Sequence, residues 1–120
     1  MAQAETSIVN DIMKALAPHG VTLFRNVKGM FLTPDGKRKV SAGLIAPGSS
    51  DLIGFRRVKI TPDMVGQTLA IIAALEIKTP TGTASHAQRD FVQYIAENGG
   101  FSGIARSPEE AKIICKIPVD

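Results

Sequence analysis

Hydrophobic and polar positions follow two periods along this chain, and the changes of period mark its elements. Ile8, Ile12, Ala15 and Leu16 fall at i, i+4, i+7 and i+8, one apolar stripe of an amphipathic helix over Glu5–Ala17. Pro18-His19-Gly20 stops it. Val21–Val27 alternates moderately and is rich in β-formers, and Met30–Thr33 is a second short extended piece. Pro34-Asp35-Gly36 is a turn: proline presets φ, the aspartate can bond its own backbone, and glycine is permissive. Lys39–Ile45 reads as another extended stretch. The small-residue loop Ala46-Pro47-Gly48-Ser49-Ser50 then delivers Asp51 to the start of a strand, Leu52–Val58. Pro62 and Gly66 break the segment after that strand. Thr68–Leu75 is apolar on both alternating faces, as in a strand covered on both sides. Periodicity alone leaves a helix open there; short length, Gly66 before it and Thr79-Pro80 after it favour the strand.

The last two helices have their starts written in the sequence. Ser85-His86-Ala87-Gln88 is a capping box with Ala87, Phe91, Tyr94 and Ile95 as the buried stripe behind it, and Asn98-Gly99-Gly100 ends that helix. Phe101–Arg106 is a short strand. Ser107-Pro108-Glu109-Glu110 is a second capping box with proline at the first helical position, followed by Ala111, Ile114 and Cys115. Helix, three or more strands, helix, strand, helix is an α/β fold with helices around a central sheet. With no repeat, low-complexity tract or linker, residues 1–120 read as one domain.

Composition narrows the class. At 44% hydrophobic with a net charge of +3, the chain is not intrinsically disordered. Its single cysteine excludes an internal disulfide and points to a reducing compartment, hence to the cytoplasm. The polar start MAQAETSIVND is unlike a signal peptide, and the longest apolar run, Leu69 to Leu75, is far short of the ~20 residues that span a bilayer, so no membrane partner is expected. The charge is uneven. Residues 25–60 carry Arg25, Lys28, Lys37, Arg38, Lys39, Arg56, Arg57 and Lys59 against Asp35 and Asp51, a local +6, while the segments before and after it sum to −1 and −2. Such a basic third suits a nucleic-acid backbone, and equally a solvated lysine-rich hairpin that protects a sheet edge.

Candidate chemistry gathers at the end of the apolar strand. Glu76 and Lys78, two apart, share a face while Ile77 points away. Asp51 stands at the start of the preceding strand; if the two strands pair antiparallel, Asp51 comes beside Glu76. Two convergent carboxylates make a hard-oxygen site for Mg²⁺ or Mn²⁺, and a lysine beside them can position a water and offset charge on a phosphate. The plain alternative is a Glu76–Lys78 pair at a solvated strand end. Glu5 shares the helical stripe of Ile8, Val9 and Ile12, which aims a carboxylate at the protein body, although an acidic residue at a helix start is favoured by the dipole alone. Gln88 is first of all the reciprocal partner in the Ser85 capping box. His19 and His86 have no metal spacing to the cysteine; His19 closes the first helix and His86, near the candidate site, is expected in solvent. Cys115 reads as a small buried hydrophobe and the five phenylalanines as core, with Phe31 or Phe55 candidates for a dimer interface. No phosphate-binding glycine loop, Rossmann fingerprint or nucleophilic triad is present.

Gly48-Ser49-Ser50-Asp51-Leu52-Ile53-Gly54, then Glu76-Ile77-Lys78-Thr79-Pro80-Thr81-Gly82, then Gln88, Phe91 and Gly99-Gly100 resemble the virus-type replication-repair nuclease domain, VRR-NUC, a branch of the PD-(D/E)xK superfamily. Glu5 with Ile8, and Arg25-Asn26-Val27-Lys28-Gly29, extend the likeness from about residue 5 to about residue 110. Ser50 stands where the superfamily pattern has proline, in the Gly-x-x-Asp form usual for this branch. The resemblance implies an αβββαβ core with a central mixed sheet flanked by helices, and a divalent-metal phosphodiesterase. Asp51 and Glu76 would be metal ligands, with the Ile77 carbonyl completing the sphere, Lys78 assisting the water, and Glu5 and Gln88 accessory in the active site. Arg25, Lys28, Lys37, Arg38, Lys39, Arg56 and Arg57 would hold the DNA backbone. Compact members of the branch act as homodimers on branched DNA such as four-way junctions, in bacterial or phage-infected cells. A homodimeric, structure-selective DNA endonuclease using Mg²⁺ or Mn²⁺ is therefore expected. The alternatives are a monomeric flap or nicking nuclease, and a nucleic-acid-binding or assembly module that keeps the fold without catalysis.

Overall fold

A computed structural model describes residues 2–27, 29–44 and 48–118. In chain order its elements are α1 (Ala2–Leu16), β1 (Val21–Arg25), β2 (Gly29–Leu32), β3 (Lys39–Ala42), β4 (Leu52–Arg56), β5 (Ala73–Ile77), α2 (His86–Glu97), β6 (Phe101–Ala105) and α3 (Pro108–Ile114). The contacts divide the chain into two compact units, Met1–Arg56 and Arg57–Asp120.

In the first unit α1 tightens into a 3₁₀ turn, Ala17–His19, where Pro18 falls at a position needing no helical N–H bond. Gly20, at φ 78°, closes the turn in the left-handed region. β1 and β4 pair antiparallel from Val21↔Arg56 to Arg25↔Leu52. Gly54 lies opposite Leu23 in that ladder, and a Cβ there would overlap the Thr22 carbonyl oxygen and stand 2.9 Å from the Leu23 Cα, so only glycine admits this approach. β2 and β3 form a hairpin from Gly29↔Ala42 to Leu32↔Lys39. Its turn is held by Thr33 N donating to Arg38 O (2.9 Å) and by the Asp35 carboxylate, which accepts from Thr33 Oγ1 (2.5 Å) and Lys37 N (3.0 Å).

The second unit is a β-α-β arrangement: β5 and β6 pair parallel from Ala73↔Phe101 to Ile77↔Ala105, and α2 makes the connection that a parallel pair requires. α2 and α3 both pack on β6, and Ile95, Ala84 and Ala105 are the buried residues among those described. Both halves of the Ser85–Gln88 capping box are formed, and Ser107 Oγ accepts from Glu110 N at the start of α3. Gly100 lets the chain turn from α2 into β6: a Cβ there would lie 2.7 Å from the Ile95 Cγ2 and 2.8 Å from the Ile72 Cγ2.

The α/β class and the expected order are present: without the β2–β3 hairpin, the elements α1, β1, β4, β5, α2 and β6 run αβββαβ. The strands described form three two-stranded ladders, two antiparallel and one parallel. β4 takes β1 as its partner and β5 takes β6, so the antiparallel pairing expected between the strands of Asp51 and Glu76 is not among them. The extended piece at Thr68–Leu75 becomes strand only from Ala73, because β6 starts at Phe101 and the ladder cannot begin before its partner does. Ile72 O accepts the Phe101 N–H (2.9 Å), whereas Leu69 and Ile71 are exposed, so this stretch is not covered on both faces. Other ends differ by one to three residues; Ile45, Ala46 and Pro47 lie outside the described residues. The α1 stripe is less buried than its period implies, with Ile8 58% exposed and Val9 half-buried. Phe24, Phe55, Phe101 and Cys115 are half-buried, while Phe31 and Phe91 are exposed. No helix among the described residues is long and apolar enough to cross a membrane.

Candidate active site

The second unit brings Glu76 and Gln88 together. Glu76 is the penultimate residue of β5 and Lys78 the first beyond it; both are half-buried on one face, and Ile77 between them is 65% exposed on the other. Lys78 N donates to Ala105 O (3.1 Å), which continues the β5–β6 ladder one bond past the strand end and fixes the backbone from which the ammonium projects. Glu76 lines a cleft of about 200 Å³ with Ala74, Leu75 and, from α2, Gln88, Phe91 and Val92. Gln88 is there because α2 starts where it does. Its backbone N–H caps onto Ser85 Oγ (3.1 Å) and its Oε1 accepts from Ser85 N (2.9 Å), so its side-chain oxygen is committed to the helix start. The loop leaving Lys78 is closed by Gly82 N donating to Thr79 O and Thr79 Oγ1 (3.1 Å each). Arg106, just past β6, clasps it, with Nη1 donating to Thr79 O and Gly82 O at 2.6 Å each.

The first unit holds the other predicted residues. Asp51 is exposed, immediately before β4, and its carbonyl accepts from Asn26 N (2.9 Å), one bond beyond the Arg25↔Leu52 pair. Asn26 also binds the loop that carries Asp51, through its side chain, to Ser49, Ser50 and Leu44. Glu5 is exposed on α1. The α1 residue tied to the end of β1 is Asn10, whose Oδ1 accepts from Arg25 Nη2 (2.5 Å), so Arg25 has an intramolecular partner. Lys37, Arg38 and Lys39 are exposed at the β2–β3 turn, and Arg56 and Arg57 are exposed at the end of β4 and beyond it. Lys28 lies outside the described residues. Asn26 and Arg106 are the two residues that sequence reasoning passed over as working parts. No local signal marks either, because Asn26 meets Ser49 across 23 residues and Arg106 meets Gly82 across 24.

Carboxylate oxygens suit a hard cation. Mg²⁺ is commonly held through one or two carboxylates with water in the remaining positions, and Glu76 and Asp51 are carboxylates at strand ends. Among the described residues nitrogen and sulfur offer no competing centre: His86 Nε2 lies 3.1 Å from Asp90 Oδ2 on the exposed face of α2, and Cys115 caps α3. Nor do any three described His, Cys, Asp or Glu side chains form a preassembled metal cluster.

No curated protein and no solved structure matches the chain. A family model does: the VRR-NUC domain matches residues 38–109, a span that contains Asp51, Glu76, Lys78 and Gln88. Residues 1–37, with Glu5 and the Arg25–Gly29 segment, fall outside it. Since the match takes in well over half of the sequence, in the order in which the motifs run, the chain belongs to the VRR-NUC domain family.

Proposed function

We propose that this chain is a divalent-metal-dependent DNA endonuclease, selective for branched substrates such as four-way junctions, in which both units form a single nuclease domain. Membership of the VRR-NUC family carries a nuclease-type function and, with it, DNA binding. The observation that bears most weight beyond that is the cleft at the end of β5, lined by Glu76, two residues before Lys78, and by the α2 amide Gln88.

In this reading Asp51 and Glu76 would hold Mg²⁺ or Mn²⁺, helped by the Ile77 carbonyl. A cation so held would supply positive charge to a phosphate and make a bound water more acidic. Lys78 Nζ orients the attacking water and offsets charge that develops on the phosphate. Gln88, with its oxygen bound to Ser85, contributes N–H donors to a phosphate oxygen or to that water. Lys37, Arg38, Lys39, Arg56 and Arg57 hold the DNA backbone and give affinity without sequence preference. Symmetric cutting of two strands needs two such sites, which a homodimer related by a two-fold axis provides.

Cleavage of labelled four-way, flap and linear DNA, with Mg²⁺, Mn²⁺ or EDTA, tests the reading. The expected result is metal-dependent cutting of the junction that Asp51→Ala abolishes. Cutting in EDTA, or undiminished cutting by Asp51→Ala, contradicts it. Tight junction binding without cleavage under any metal shows instead a binding module on the nuclease fold. Light scattering at working concentration should give twice the 12.7 kDa chain mass.

A further inference from the structure

Asn26 spends its side chain on the loop that ends in Asp51. Its Nδ2 donates to Ser49 Oγ (3.1 Å) and to Ser50 O (2.9 Å), and its Oδ1 accepts from Leu44 N (2.9 Å). The two sides of the loop are thereby tied to one amide: Leu44 where the chain leaves the hairpin, and Ser49 and Ser50 where it returns toward β4. Ser49 Oγ adds a longer bond to Leu44 O (3.5 Å), and Ser50 Oγ donates to Leu52 O (2.9 Å). Asn26 N bonds Asp51 O directly (2.9 Å), so the backbone carrying the carboxylate is held by the same residue that gathers the loop. An amide is the side chain this geometry asks for, because two donors and an acceptor must act from one short stem. Asparagine is half-buried here, where losing a partner leaves polar groups poorly solvated.

We infer that Asn26 is a positioning residue for Asp51: it sets the carboxylate in place for the cation through the Ser49–Ser50–Asp51 backbone, without touching cation or DNA itself. The inference rests on the proposed role of Asp51 as a ligand. A ligand's supporting hydrogen bonds commonly carry 10–100-fold in metal affinity or activity when removed. The α1 and β1 contacts that hold the element, such as Arg25 to Asn10, do not pass through the Asn26 side chain.

The test is Mn²⁺ binding by calorimetry without DNA, together with Mn²⁺-dependent junction cleavage, for wild type, Asn26→Ala, Ser49→Ala and Asp51→Asn. Asn26→Ala should weaken Mn²⁺ binding about tenfold or more and raise the Mn²⁺ needed for half-maximal cleavage by a similar factor, with KM for DNA within about twofold. Ser49→Ala, which removes one of the three bonds, should shift the same quantities about two- to fivefold with an unchanged circular dichroism spectrum. It decides the matter if Asn26→Ala does not fold. Unchanged Mn²⁺ binding in a folded Asn26→Ala, or in Ser49→Ala where the former is unfolded, overturns the inference. Asp51→Asn separates the two levels. If it leaves Mn²⁺ binding intact, the ligand assignment itself has failed; if it abolishes binding while the other variants bind normally, only the role of Asn26 has.

Discussion

At the scale of single residues, several polar side chains bond main-chain groups at turns and helix starts. Asn26, Gln88, Arg106 and Asp35 all hold loops or helix starts. Asp35 shows the consequence for ionisation: the Thr33 hydroxyl bond, aided by the Lys37 N–H, holds its carboxyl below the ordinary aspartate value. A depressed folded value means that the stabilisation of the β2–β3 turn is present above the ordinary aspartate pKa and is lost as pH falls through the lowered one. Thr33→Val should therefore move the Asp35 midpoint back up, read by NMR titration of the side-chain carboxyl; an unmoved midpoint would show that Thr33 is not its cause. Side chains of this kind were the least legible in the sequence. The Ser85–Gln88 box could be read because its spacing is local, whereas Asn26 meets Ser49 across 23 residues and Arg106 meets Gly82 across 24, distances at which no periodicity reports a partner.

The elements were more legible, because period and capping are local properties. α2 starts at His86 behind its predicted cap, and β6 and α3 follow within a residue of their expected positions. The end of the apolar run was not, since strand length depends on the partner: β5 begins only where β6 can meet it. Partner choice was likewise hidden, and β4 pairs with β1 at a point that needs Gly54. Gly54→Ala must push the β1 backbone away from β4, and overpacking of this kind costs about 1–3 kcal/mol. Chemical denaturation should show a loss in that range, and a loss below about 0.5 kcal/mol would mean the ladder yields freely. Arg106→Ala removes both clasps on the loop after Lys78. Amide exchange at Gly82 should speed up by about tenfold or more while that of the β5–β6 ladder stays as it was. Equal acceleration across the ladder would make Arg106 a general stabiliser instead.

For the whole molecule the sequence carried the family and the order of the elements. The motif set from Gly48 to Gly100 falls inside the VRR-NUC match, and the elements of the chain keep the αβββαβ order that the resemblance implies. Electrostatics belongs to this scale too. The basic third surrounds Asp51 in sequence, and Lys37, Arg38 and Lys39, which the proposed function has meeting phosphates, are exposed at the hairpin turn. Changing all three to Gln should weaken junction binding evenly across sequences and lower the salt slope of log K by about 2 to 3; an unchanged slope would assign the hairpin to solvent. The proposed function turns on Asp51 and Glu76 serving a shared cation. It is tested most directly by a double-mutant cycle on Mn²⁺-dependent junction cleavage with Asp51→Asn, Glu76→Gln and the pair combined. Groups that work as a unit are grossly non-additive, so the double variant should lose about as much rate as either single one. Losses that multiply would contradict a shared site.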